Sequence, residues 1–426
     1  MYKVLVIAYY FPPLGLSGVQ RTLKLCKYMK DYNWEPTVIT TGKTGYYAHD
    51  DSMLKEAENA KIITVRTSAR DVNSLLARFG TIKMPSEFIR KMFSLISKTF
   101  FIPDNKKSWA KMAYQTAAEI LKKEKYDLIF ISIPPFSVFG SCLKLGEEFN
   151  IPVFTDYRDL WFSNQFRFFI TPYHKFRHKK MEEALVRKVD KILVTNRYAK
   201  EQMLFDYPFL NFKDVIIAPH GYDSEDFKNI SIERENRDKL VIGYSGIFYE
   251  TVTPTYFLLA FKKLTQNRPD VAANIELHFI GDLRSKNRKL INKLGLHQYV
   301  HEFGYMNHKE AIRKLMNCDI LWVMLGRNKN SFHVAPGKLF EYFASRKPII
   351  ACADEGAITR NAVDYGASIV TEPDNVEQIM NAIIKMYEDF KNDSLPIPDE
   401  EFIAKHDRKF IAQQITKEFQ FYLKED

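Results

Sequence analysis

The chain has 426 residues, 46% of them hydrophobic, and a formal net charge of +10. That length exceeds one ordinary core and points to two domains, and no apolar run reaches the roughly 18 residues that a membrane-spanning helix needs. Four cysteines without paired spacing (Cys26, Cys142, Cys318 and Cys352) read as reduced core thiols. Ten histidines without an H-x-x-x-H or similar pattern support no intrinsic metal site.

The first residues, Met1 to Ala8, run straight into a strand and carry no small-residue cleavage site, which predicts a cytosolic protein without a signal peptide. Strands are predicted over 3–8, 36–41, 61–65, 127–132, 152–156, 191–195 and 215–218, with helices between most of them, such as 19–30, 107–122 and 136–148. This N-terminal domain is assigned to 1–221. The charged stretch 222–238 has little apolar periodicity and reads as a linker. A second alternating series follows in 239–400, with strands over 240–245, 276–280, 319–323, 348–352 and 368–370. The segment 401–426 holds a last helix with no strand to return to, expected to pack back toward the N-terminal domain. Alternation of this kind predicts an α/β protein with two Rossmann-like doubly wound domains facing a central cleft.

Motifs sit where such sheets bind ligands. Tyr9-Tyr10-Phe11-Pro12-Pro13-Leu14-Gly15-Leu16-Ser17-Gly18-Val19-Gln20-Arg21 follows the first strand, and its glycines allow close backbone approach to a ligand; a merely flexible connection is the plainer alternative. It is not G-x-G-x-x-G, so a dinucleotide site has little support. Ile131-Ser132-Ile133-Pro134-Pro135-Phe136 makes a stiff corner into a helix. Phe154-Thr155-Asp156-Tyr157-Arg158-Asp159-Leu160-Trp161 puts three charges at a strand's carboxyl end, which suits either chemistry or an ion network supporting the loop. In the second domain, Val241 to Tyr249 repeats the strand-and-glycine turn around Gly246, and Phe279-Ile280-Gly281-Asp282 and Glu302-Phe303-Gly304-Tyr305-Met306 follow in order. Then His333-Val334-Ala335-Pro336-Gly337-Lys338-Leu339-Phe340-Glu341 opens a helix. Free N–H groups and the helix dipole make that end attract anions, and Lys338 adds a full charge, which suits a diphosphate. An ordinary amphipathic helix with a solvated Lys and Glu is the bland alternative.

Together these motifs span nearly the whole chain, and the sequence resembles the family-4, retaining glycosyltransferases with the B-type two-Rossmann-domain fold. The resemblance implies an NDP-sugar donor, no metal or other cofactor, and a saccharide acceptor. It places the donor on Gly15, Gly18, Arg21, Gly246, Tyr305, Arg327, His333, Pro336, Gly337, Lys338, Leu339 and Glu341, with Glu341 on sugar hydroxyls of the nucleotide and the base near Gly304 and Tyr305. Asp156, Lys338 and Arg158 are the candidate catalytic residues, Asp156 read as nearest the acceptor hydroxyl because it is the first polar residue off its strand, at about the point where many members carry His; Pro134, Pro135, Asp159 and Trp161 are placed on the acceptor side.

Two departures limit the transfer of roles. Many members carry a Glu eight residues before the helix Glu, where this chain has His333. Many also carry cations in the turn after the second domain's first strand, where 248–255 has none. Diphosphate charge then needs another cation, and Arg327 or Arg21 is expected to supply it, a solvated loop Arg being the alternative for Arg327.

Charge is uneven: residues 1–200 hold 33 Lys and Arg against 19 Asp and Glu, and residues 201–426 hold 29 against 33. Two stretches of the basic half, 75–101 and 159–180, mix aromatics with cations; the first includes Arg78, Lys83, Arg90, Lys91 and Lys98, the second Phe162, Phe166, Arg167, Phe168, Lys175, Arg177 and Lys179. Such segments bind anionic membrane surfaces, which predicts a peripheral protein at the inner face of the membrane acting on a lipid-linked saccharide in cell-envelope polysaccharide assembly; two ordinary solvated helices are the alternative. No nucleic-acid motif accompanies the charge. A sugar-nucleotide epimerase of the same fold, or an inactive homologue that binds glycan or membrane, are the other functions these residues allow.

Overall fold

A computed structural model describes residues 1–15, 17–45, 49–67, 95, 97, 99–164, 167–228, 230, 238–248, 252–328 and 331–425. The chain divides into two compact units, Met1–Pro219 with Arg408–Asp426, and His220–Asp407. The basic-aromatic stretch 75–101 lies outside the described residues except for 95, 97 and 99–101, as do Leu16, Phe166, Tyr249 and, within the expected linker, 229 and 231–237.

The first unit is built on a seven-stranded sheet. Its strands are β1 (Tyr2–Ala8), β2 (Trp34–Thr41), β3 (Ile63–Thr67), β4 (Leu128–Ile133), β5 (Val153–Tyr157), β6 (Lys191–Val194) and β7 (Val215–Ile217). They lie in the order β3-β2-β1-β4-β5-β6-β7, and every pairing is parallel. The near-continuous apolar runs follow from burial on both faces. Along β1, Leu5 and Ile7 enter one core while Val4, Val6 and Ala8 enter the other, as the two-residue pleat requires.

The second unit carries a six-stranded sheet of β8 (Leu240–Ser245), β9 (Ile275–Ile280), β10 (Val300–Gly304), β11 (Ile320–Leu325), β12 (Ile349–Ala353) and β13 (Ser368–Thr371). Its order is β10-β9-β8-β11-β12-β13, again parallel. Each sheet reverses direction once, between β1 and β4 and between β8 and β11. Crevices form outside the strands' carboxyl ends at such switch points, and both glycine turns follow the central strands β1 and β8. The edge strand β10 has no counterpart among the predicted strands, because its exposed His301 and Glu302 leave little apolar pattern.

The single last helix predicted in 401–426 is two helices. Glu400–Lys405 stays with the second unit and Arg408–Glu425 with the first. Between them the His406 carbonyl accepts from the Tyr222 amide at 3.1 Å, and Asp407 forms a bridge to Tyr222. The final helix buries Ile411, Ile415 and Phe419, spaced four apart on one face. Phe419 packs edge-on against Trp34 and Phe154 at 5.3 and 5.1 Å between ring centres. Burying one such side chain contributes about 1.5–3 kcal/mol. The helix predicted over 136–148 is also divided, into Phe136–Cys142 and Lys144–Phe149. All four cysteines are buried free thiols.

Candidate functional site

In the first unit one guanidinium gathers three of the sequence motifs. Arg158, just past β5, donates from Nη1 to the Gly18 carbonyl at 2.6 Å, from Nη2 to the Pro134 carbonyl at 2.5 Å and from Nε to the Ile133 carbonyl at 3.3 Å. Its planar group also lies over the Tyr10 ring, 5.2 Å from the centre. A Cβ at position 18 would stand 2.8 Å from Nη1, so the helix start must be small there. Gly15 is buried and Gly18 half-buried in the loop that Arg158 pins, with Pro134 half-buried and Pro135 buried on its other side. These contacts commit Arg158 to holding loops. It is a positioning residue here, not the catalytic group expected.

Asp156 and Arg21 also depart from expectation. Asp156 is 1% exposed, and both its oxygens accept from Arg21: Nε reaches Oδ1 and Oδ2 at 3.1 and 2.9 Å, and Nη2 reaches Oδ1 at 2.7 Å. The same guanidinium donates to the Ala218 and Pro219 carbonyls at 2.9 and 2.8 Å. A buried carboxylate held by a fork in this way is a joint between β5, the first helix and the end of β7. It does not reach for an acceptor hydroxyl, and Arg21 is not a spare cation for phosphate. Of the Asp-Arg-Asp motif, Asp159 has the exposed side chain. Trp161, expected on the acceptor side, is fully buried, stacks on Phe136 at 4.9 Å and donates to His178 Nδ1 at 3.0 Å. Arg167 Nη1 lies 2.7 Å from the same nitrogen, and burial first, then Arg167, pulls the His178 pKa down to about 3.

In the second unit the switch point between β8 and β11 is lined by the predicted glycine turn and by the helix Gly337–Ser345, which Pro336 introduces in extended conformation. Lys338 Nζ donates to the Tyr244 hydroxyl at 2.7 Å. Gly246 has φ +119°, and a Cβ there would lie 2.7 Å from Lys338 Nζ. Gly281, φ +133°, packs on the Gly246 carbonyl, where a Cβ would come within 2.6 Å. Only glycine tolerates both conditions. Tyr342 clamps the same turn, its hydroxyl accepting from the Ser245 amide at 2.8 Å. Burial depresses the Lys338 pKa to about 7, with Glu341 opposing. An ammonium this poorly hydrated gains strongly from an anion beside it. Leu339 is buried, and its amide donates to the Pro336 carbonyl at 3.0 Å, so that amide is taken within the turn.

Glu341 Oε1 accepts from His308 Nε2 at 2.8 Å, and His308 Nδ1 lies 3.8 Å from Asp226 Oδ2. His308 and Asp226 had no sequence signal, since their meeting with Glu341 depends on three separate elements. Tyr244 and Tyr342 were legible only as apolar positions next to motif residues. His333 is buried, and desolvation lowers its pKa to about 4, so the ring is neutral at pH 7. Tyr305 is exposed beside Gly304, whose φ is +70°. Arg327 is a correction: its guanidinium faces Glu372 at 2.7 Å, Asp374 at 3.2 Å and Asp354 at 3.5 Å. Three carboxylates already balance the charge that a diphosphate was expected to use.

Residues 225–395 match the family model for glycosyl transferases group 1. No curated protein matches the chain. Among solved structures, a glycosyltransferase from Rickettsia africae shares 14% identity at TM-score 0.66, covering 100% of this chain and 99% of that one. A sucrose-phosphate synthase from Thermosynechococcus elongatus shares 13% at TM-score 0.65, covering 100% of both. Anabaena HepE in complex with UDP and glucose shares 14% at TM-score 0.61, covering 98% and 99%. A Listeria monocytogenes structure described as a UDP-N-acetylglucosamine 2-epimerase also has the fold, at TM-score 0.56 and 12% identity. The chain has the B-type two-Rossmann-domain fold, and the family match with these neighbours supports a glycosyltransferase.

The Glu341 pair yields a test of the nucleotide site. Glu341→Ala is expected to weaken binding of free NDP about 10- to 100-fold, as loss of a charged hydrogen bond does. His308→Gln, which keeps a donor, is expected to retain most of the affinity that His308→Ala loses. Calorimetric titration with NDP checks this, and equal affinities across the set would make the pair structural.

Proposed function

We propose that the protein is a family-4, retaining glycosyltransferase that moves a sugar from an NDP-sugar to a hydroxyl of a lipid-linked saccharide in cell-envelope polysaccharide assembly. The observation that carries this reading is the cradle of Gly246, Gly281, Tyr244 and Lys338 at the start of the Gly337–Ser345 helix. Lys338 and the amides of Gly337 and Lys338 take the donor diphosphate and stabilise the negative charge that builds as it departs. Glu341, oriented by His308, accepts from ribose hydroxyls, and Tyr305 borders the base. Structures of similar fold hold UDP with glucose and UDP alone, which favours a uridine nucleotide. His333 stands near the donor sugar as a neutral donor where relatives present a carboxylate. The acceptor oxygen bonds to the anomeric carbon as the bond to phosphate breaks, and its proton passes to the departing phosphate oxygen. With Asp156 tied to Arg21, no protein carboxylate is needed as the base.

The membrane part rests on the first unit. Phe100, Phe101, Phe168, Tyr173 and Phe176 are exposed, and Lys175, Arg177 and Lys179 are exposed among them. His174 Nε2 donates to the Thr99 carbonyl at 3.2 Å, which sets the two aromatic segments side by side. Rings flanked by cations suit an anionic lipid surface, on which the protein sits peripherally from the cytoplasmic side. Among the described residues no helix is long and apolar enough to cross a membrane.

An epimerase is the second reading, favoured by the Listeria neighbour. Incubation with UDP-sugars and lipid-linked acceptor in anionic vesicles separates the two. Transfer to lipid is the expected result, reduced when Lys175, Arg177 and Lys179 are all changed to Gln and restored on a soluble acceptor analogue. Epimerised UDP-sugar without any transfer would overturn the proposal. Equal binding to neutral and anionic vesicles across a salt series would remove its membrane part.

A further inference from the structure

We propose that Glu276, His278 and His301 form a site for a divalent transition-metal ion, zinc by donor set, at the β9–β10 edge of the second sheet. The three ligand atoms lie within 4.8 Å of one another. Strand geometry places them there: Glu276 and His278 are two apart on β9 and so share a face, and His301 of β10 is the direct register partner of His278. Both imidazoles turn Nε2 toward the same oxygen, Glu276 Oε2, at 3.3 Å from His278 and 3.6 Å from His301. Two atoms bound tetrahedrally to one zinc, each about 2.0–2.1 Å from it, stand roughly 3.3–3.4 Å apart. Both imidazole–carboxylate distances are therefore close to ligand spacing. An ordinary carboxylate–imidazole pair needs one ring, not two converging on one atom.

The surroundings fit a bound cation in part and oppose it in part. His278 and Glu276 are partly buried, with side chains 17% and 24% exposed, while His301 is 49% exposed. The partial burial gives a rigid base, and the open side leaves room for a water as fourth ligand. Phe303 packs edge-on against His278 at 5.2 Å between ring centres. Against the metal stands Lys239, whose Nζ lies 3.3 Å from Glu276 Oε1. A bound ion must share Glu276 with that ammonium.

The site is separate from the proposed donor cradle. Glu276 and His301 are the second residues of β9 and β10, near the strands' amino ends, whereas Gly281 and Gly304 lie at the carboxyl ends. A metal there would clip the edge strand β10 to β9, and the chemistry of transfer would not pass through it.

Chelator-treated protein titrated with zinc sulfate by calorimetry is expected to take up one ion per chain and to gain thermal stability. His301→Ala, at an exposed position where folding is not at stake, is expected to bind zinc at least about tenfold more weakly. His297→Ala, an exposed histidine outside the cluster, leaves binding unchanged, and Lys239→Gln strengthens it. Absence of saturable binding in both the wild type and Lys239→Gln overturns the proposal, as does wild-type affinity in His301→Ala.

Discussion

Lys338→Ala is expected to lower turnover about 100- to 1,000-fold, the loss typical when one preorganised donor to a developing charge is removed. The fold should stay intact, because the lysine stands on the first turn of its helix and its amine answers chiefly to the Tyr244 hydroxyl. Lys338→Arg should not rescue: Nζ would lie only 2.7 Å from a Cβ at position 246, so little space surrounds it, and a planar fork is larger than an ammonium. Steady-state kinetics with the donor varied, beside thermal melting, checks both statements. Wild-type turnover in Lys338→Ala would remove the residue from the site.

The depressed pKa adds a pH signature. At about 7 in the free protein, the amine is charged below pH 7 and progressively neutral above it. A bound diphosphate favours the charged form and raises the pKa, so donor binding above pH 7 takes up a proton. Affinity is therefore fully present below pH 7 and falls as pH rises from 7 toward 9, by up to about tenfold per unit. The phosphate's own ionisation acts the other way below pH 7, which confines the test to the upper range.

Asp156→Ala is expected to destabilise the first unit by about 3–5 kcal/mol, since it leaves the buried Arg21 guanidinium without its counter-charge. For a domain of this size that corresponds to a fall in Tm of about 10 °C. Replacing the pair together, Arg21→Met with Asp156→Leu, should recover much of the loss, because removing both charges also removes the desolvation cost. Turnover per folded molecule should then remain near that of the wild type. If Asp156→Asn instead abolishes transfer without shifting Tm, the carboxylate is the acceptor's base after all and the reading of a buried joint fails. Melting curves and active-site-normalised rates decide between these outcomes.

Much of the fold was legible because its signals are local. Twelve of the strands follow from short apolar runs between helical periods, and a buried parallel strand needs little more than such a run. The glycine turns after β1 and β8 and the Pro336-Gly337-Lys338 helix start were legible for the same reason: each motif acts through its own backbone. The missed strand β10 is an edge whose outward residues are polar, so local pattern fails there.

Partnership was not legible, since it depends on which distant side chain arrives first. From sequence, Arg21 and Arg327 are interchangeable cations for a phosphate site, and Arg158 is a candidate catalytic group. The structure commits Arg21 to Asp156, Arg158 to the Gly18 and Pro134 carbonyls, and Arg327 to Glu372, Asp374 and Asp354. Lys338 instead meets Gly246 and the Tyr244 hydroxyl, with Glu341 the carboxylate that acts on its charge. The histidines tell the same story from the other side: no spacing along the chain suggested a metal, and only the register of β9 against β10 sets His278 beside His301. Sequence determined most of the elements, their order and the glycine turns. Tertiary structure decided which charges are already spoken for, because a desolvated ion settles on the nearest partner that packing allows, and linear distance carries no information about that.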